Sequence, residues 1–111
     1  MQEYSRQYAI QSIQNRLSFC NSPCRNNILN YLHSLPPTTR FFCRSLSVSE
    51  YPLDLVKQIV GLDGYYLKHL TIMHNLDFVW FDQDKFCIEI WGDRRSIFDS
   101  IHSLHHNISH H

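Results

Sequence analysis

Hydrophobic and polar positions along the 111-residue chain change period several times, and each change marks an element. Between Glu3 and Phe19 the apolar residues Tyr4, Tyr8, Ile13 and Leu17, with Ile10 beside them, recur at steps of three to five among Gln, Ser and Arg, which predicts an amphipathic helix. Asn21-Ser22-Pro23 then offers a turn, a capping side chain and a proline suited to the first helical position. Ile28, Leu29, Leu32 and Leu35 follow on one face of a second helix. Pro36-Pro37-Thr38-Thr39 stops that helix and forms a short, stiff linker. Two helices of this size cannot bury their apolar stripes alone. Residues 1–37 are therefore expected to be a helical hairpin that docks on the following domain, residues 38–111, or on a second chain.

After the linker the pattern shortens. Phe41 to Ser49 alternates with partial regularity and predicts a strand. Pro52 opens a helix through Leu55, Val56 and Ile59 to Val60, and Gly61-Leu62-Asp63-Gly64 breaks it. A further helix is expected from Tyr65 to His74, with Leu67, Leu70 and Met73 inward. Asp77–Phe81 and Phe86–Trp91 read as a hairpin around the tight turn Asp82-Gln83-Asp84-Lys85. Gly92-Asp93 ends it, and Asp93 can cap a last helix whose Ile97, Ile101, Leu104 and Ile108 keep the helical step. The class is α+β, in the order β-α-α-β-β-α after the helical hairpin.

Composition narrows the options. At 43% hydrophobic and 14% aromatic the chain can bury one core and hardly two. It has no run of 18 apolar residues, and Met-Gln-Glu-Tyr-Ser-Arg lacks the layout of a signal peptide. An intracellular, cytoplasmic protein with no membrane partner is expected. A single Ala with abundant Ile, Asn, Tyr and Phe suits an AT-rich genome such as a viral one. The four cysteines, at 20, 24, 43 and 87, read as reduced thiols. Cys20, Cys24 and His33 would supply three zinc ligands with no fourth in view, so neither metal nor other cofactor is expected. No nucleophile–base set, carboxylate pair or phosphate-cradling lysine motif has supporting context, and an enzyme is not expected.

A formal charge of zero argues against a strong general nucleic-acid binder, yet the charge is unevenly placed. Residues 1–48 carry five arginines against Glu3, a net of +4, and residues 49–111 carry five Lys and Arg against nine Asp and Glu, a net of −4. The second segment is itself acidic, so long-range attraction for phosphate has to come from the first.

The stretch Ile59-Val60-Gly61-Leu62-Asp63-Gly64-Tyr65-Tyr66-Leu67-Lys68-His69-Leu70 joins two helices through a loop bracketed by glycines. Tyr51-Pro52 leads into the first helix; Leu67, Lys68 and Leu70 fall in the second; Phe78 and Trp80 follow on the next strand, and Ile88-Glu89-Ile90-Trp91-Gly92 closes the set. In this ungapped order, from about residue 41 to 108, the chain resembles a type I KH domain, and the resemblance implies that Phe78 and Trp80 point inward. Asn75 stands where the family has a glycine after the second helix, and Asn tolerates the left-handed conformation needed there.

The resemblance implies a three-stranded antiparallel sheet under three helices, and a groove that holds about four unpaired nucleotides of RNA or DNA. By motif position the loop Gly61, Leu62, Asp63 and Gly64 would clamp the backbone. Leu55, Ile59, Val60, Leu67, Lys68, Phe78 and Val79 would line the groove, although for Ile59, Leu67 and Phe78 plain core packing is the readier explanation. Asp63 departs from the family, which commonly places a basic or small residue there. A carboxylate ~5 Å from a phosphate repels it by about 1–3 kcal/mol, or about 10- to 100-fold in affinity. Two functions follow. One is weak binding of single-stranded nucleic acid, RNA before DNA; the other is a KH-like fold that has become a protein-interaction or structural module, with the N-terminal helices reaching a partner or forming a homodimer.

Overall fold

The computed structural model describes residues 2–18, 25–60 and 65–109. Among them are four strands and five helices: β1 (Gln2–Ser5), α1 (Arg6–Leu17), α2 (Arg25–Ser34), β2 (Arg40–Ser47), α3 (Leu53–Val60), α4 (Tyr65–Met73), β3 (Phe78–Asp82), β4 (Cys87–Gly92) and α5 (Arg94–Ser109). The strands form one antiparallel sheet in the order β1-β2-β4-β3.

The fourth strand corrects the expected three. Glu3–Ser5 falls within the stretch expected to be helical; instead Gln2–Ser5 pairs with Arg40–Cys43, and α1 begins only at Arg6. The reason is local: the Ser5 hydroxyl accepts a hydrogen bond from the Tyr8 amide at 3.3 Å, so Ser5 is the cap, and the residues before it gain backbone partners only from β2. The asparagine, serine and proline expected to cap α2 lie outside the described residues.

Strand alternation divides the core in two. On one face of the sheet Ile88 and Ile90 of β4 meet Val56 of α3, Leu67 and Leu70 of α4, and Ile97, Ile101 and Leu104 of α5. On the other face Phe41, Phe78 and Trp91 meet Ala9, Ile10, Ile13 and Leu17 of α1 and Leu32 of α2, with Ile28 and Leu35 partly buried beside them. The result is three layers, with helices on both faces, and every residue of β4 is buried. The stripe of α1 and α2 is thus covered by the chain's own sheet. Tyr8, expected on that stripe, stands 51% exposed, and Ala9 takes the inward place.

Polar contacts fasten the second layer. Arg6 of α1 donates to the carbonyls of His33 and Leu35 at 2.9 and 3.1 Å, which satisfies the carbonyl end of α2. Arg16 reaches Glu89 at the centre of the sheet, as described below.

The other helical layer keeps its expected punctuation. Asp93 accepts from the Ser96 amide at 2.9 Å and from its hydroxyl at 2.8 Å, capping α5. At the end of α4, Asn75 adopts φ 55° while Asn75 N–H donates to the Ile72 carbonyl and Leu76 N–H to the Thr71 carbonyl, which is a complete Schellman cap. Met73, expected inward, is 53% exposed, because α4 turns only Leu67 and Leu70 fully to the core. Gly92 lies close beneath Leu76: a Cβ there would stand 3.1 Å from the leucine Cδ2.

Candidate nucleic-acid interface

From β2 onward the elements run β2-α3-α4-β3-β4-α5, and β2 and β3 both pair antiparallel with β4. Four residues separate α3 from α4. Those four, Gly61, Leu62, Asp63 and Gly64, lie outside the described residues, as do the side chains of Ile59 and Val60.

The remaining members of the expected groove separate into two places. Leu67 is 6% exposed and packs with half-buried Leu55 and Val79 in the core beneath α3, α4 and α5. Phe78 does not join them. It is paired with Trp91 and sits 7% exposed in the core under α1 and α2, on the opposite face of the sheet. The cause is period two: Val79 and Phe81 take the face of Ile90 and Ile88, so Phe78 and Trp80 must take the other. The residues expected to point inward on this strand are therefore displaced by one position from those that face α3 and α4.

Lys68 is exposed in the first turn of α4, one residue after buried Leu67. Lys57 is exposed in the last turn of α3. The two cations thus stand at the two helix ends that the glycine-bracketed connection joins. Lys57 was not singled out from the sequence, although its place three residues before Val60 puts it in that last turn. Farther along α4, Ile72 follows Lys68 by four residues on the outward face and is 81% exposed.

The electrostatically distinctive centre lies elsewhere. Glu89, in the middle of β4, is 9% exposed and accepts from Arg16 Nε at 2.8 Å on Oε1, from the Arg16 terminal nitrogen at 3.0 Å on Oε2, and from Trp91 Nε1 at 2.7 Å on Oε1. Fork-to-fork geometry of this kind is the strong form of an ion pair. Its environment also acts on Cys43, whose thiol is pushed up to about 12, first by burial and then by Glu89. Burial likewise raises the Cys87 thiol. Both stay protonated at neutral pH and make poor nucleophiles.

A second perturbed carboxyl sits where α4 hands over to β3. Asp77 is pushed up to about 6, by burial first and then by the Asp93 charge. Asp93 is held below the usual carboxylate range by its bonds to Ser96. Among the described residues no three His, Cys, Asp or Glu side chains gather as a metal site, and no helix is long and apolar enough to cross a membrane. Cys20 and Cys24 lie outside the described residues, so the zinc set considered from the sequence is represented only by exposed His33.

Comparison with protein-family models finds none that matches the chain, and comparison with curated proteins finds no relative.

Proposed function

We propose that the chain binds single-stranded nucleic acid, RNA before DNA, in a KH-like groove between α3, the 61–64 connection, α4 and β3. The observation that carries this reading is the pairing of elements around that connection: two helices joined by four glycine-bracketed residues, packed over a sheet in which β4 lies between β2 and β3. Exposed Lys57 and Lys68 at the adjoining helix ends supply the positive charge that a strand's phosphates would meet there. Leu55, Leu67 and Val79 then form the apolar floor, and Phe78 belongs to the scaffold rather than to the groove. Asp63 keeps the affinity low. The role is binding, with no catalytic step.

A second reading is favoured by Ile72 and Met73, which leave α4 with an apolar outward face beside Lys68. Such a face suits a protein partner, and the domain would then be an interaction module. Titration of wild type, Asp63→Lys and Lys68→Glu with labelled pools of single-stranded RNA and DNA at two salt concentrations separates the two. Nucleic-acid binding predicts that Asp63→Lys binds about tenfold tighter with a steeper salt dependence, and that Lys68→Glu binds more weakly. Undetectable wild-type binding near physiological salt would remove the nucleic-acid reading, even if Asp63→Lys created some.

A further inference from the structure

We infer that the surface between β2 and the first two turns of α5 is a second binding surface for single-stranded nucleic acid, on the face of the sheet that also carries α3 and α4 but over β2 rather than β3. At its centre the Arg94 guanidinium lies over the Phe42 ring, 5.6 Å from the centroid. Phe42 packs partly buried against the core and Arg94 above it is exposed, so the pair reaches the surface. Two neighbours extend it. Arg44 is two residues along β2 on the same face of the sheet and exposed, and Phe98 is one turn along α5 from Arg94 and 67% exposed. Arg94, Arg95, Phe98 and Asp99 line a shallow open depression. α5 packs on β2 and β4, whereas α4 packs on β3, which sets this surface apart from the proposed groove.

Its positive charge is uncommitted. Among the described residues two ion pairs form, Arg16 with Glu89 and Arg40 with Glu3, the latter at 3.8 Å beside Phe42. The acids at this surface are Glu3, paired with Phe42 in the sheet and taken by Arg40; Asp93, whose two oxygens hold the Ser96 amide and hydroxyl; and Asp99, which lines the depression and is exposed. Arg44, Arg94 and Arg95 have no carboxylate partner among the described residues. An open aromatic ring flanked by guanidinium groups that no ion pair holds, with Asp99 the one carboxylate in the depression, is an arrangement that takes stacked bases and their phosphates together. The ring requires unpaired bases, since those of a duplex are already stacked. An acidic peptide would use the arginines and leave Phe98 idle.

The test is anisotropy titration of the full chain with short single-stranded RNA and DNA, with a polyglutamate peptide as the competing probe. Phe98→Ala and Phe98→Leu should each weaken oligonucleotide binding about tenfold, while Phe98→Trp should preserve it. Arg44→Glu should weaken it about as much and flatten its salt dependence. These positions are exposed, so thermal melting should be unchanged. The proposal is independent of the groove: if Lys68→Glu is silent while the Phe98 series behaves as stated, the groove reading fails and this one stands. It is overturned if Phe98→Leu and Arg44→Glu bind like wild type, if wild type binds no oligonucleotide, or if polyglutamate binds as tightly as the oligonucleotides.

Discussion

Arg16 and Glu89, 73 residues apart, meet through two parallel hydrogen bonds of 2.8 and 3.0 Å and bolt α1 to the central strand of the sheet. The Glu89 side chain is 12% exposed and the Arg16 side chain 32%. Removing the arginine leaves a buried negative charge held only by the Trp91 indole, whereas removing the charge of Glu89 leaves a cation that can turn to solvent. Arg16→Met should therefore cost about 2–4 kcal/mol and Glu89→Gln less. Urea unfolding of both single variants and the double variant should yield a coupling of about 1–3 kcal/mol. Equal small losses for the two single variants would contradict the asymmetry.

The helices α1 and α2 are predicted to be part of the folding unit. Leu32 is fully buried, and Leu32→Ala should lower stability by about 2–5 kcal/mol. Deleting residues 1–37 uncovers Phe41, Phe78 and Trp91 and should lower the melting temperature or drive association. Both tryptophans, Trp80 and Trp91, belong to the covered face, so their fluorescence should shift to the red in the truncated chain. A truncated monomer with unaltered melting and emission would refute this packing.

The contribution of Asp77 to stability should fall as pH rises between about 4 and 6. The Asp77 carboxyl has a folded pKa of about 6 against an ordinary 3.8, so across that window the folded state keeps a proton that the unfolded state has lost. Asp93, lowered by Ser96, acts with the opposite sign and loses its stabilising contribution as pH falls through its own folded value. Asp77→Asn should be more stable than wild type by about 1–2 kcal/mol at pH 7, with the difference vanishing below pH ~4. Chemical denaturation at pH 4, 5.5 and 7 checks the sign.

The cap of α4 gives a backbone prediction. Asn75 has φ 55°, so Asn75→Gly should be neutral or stabilising by up to about 1 kcal/mol, and Asn75→Val should cost more than about 1 kcal/mol. Thermal melts of the two variants should move in these directions.

Much of this fold can be read from residue spacing where a local signal exists. α5 is marked by Asp93 and the run Ile97, Ile101, Leu104, and α4 by Leu67, Leu70 and the left-handed Asn75. β1 is not legible, because Gln2-Glu3-Tyr4-Ser5 has no apolar alternation and becomes a strand only through hydrogen bonds to β2. The displacement of Phe78 and Trp80 to the far face has a related cause. Phe78, Val79, Trp80 and Phe81 are all apolar, so alternation cannot assign the faces until both are known to be covered. β4 gave a clearer hint. Glu89 falls between Cys87 and Trp91 on one face, and a carboxylate in that company calls for a buried cation, which α1 offers in Arg16. Phe86, with φ 51°, is a further position beyond sequence reading: its ring meets Phe81 edge-on at 5.7 Å, and this packing accompanies a backbone conformation that its side chain disfavours.

The three-layer arrangement also sets an order of events during synthesis. α1 and α2 leave the ribosome well before β4, which carries Trp91 and Glu89, and the 73 residues between Arg16 and its partner take about 4–15 s to translate. For that interval Ile10, Ile13, Leu17 and Leu32 lack the central part of the surface that later covers them. Closure of the fold is governed by the arrival of a strand rather than by the helices that were made first.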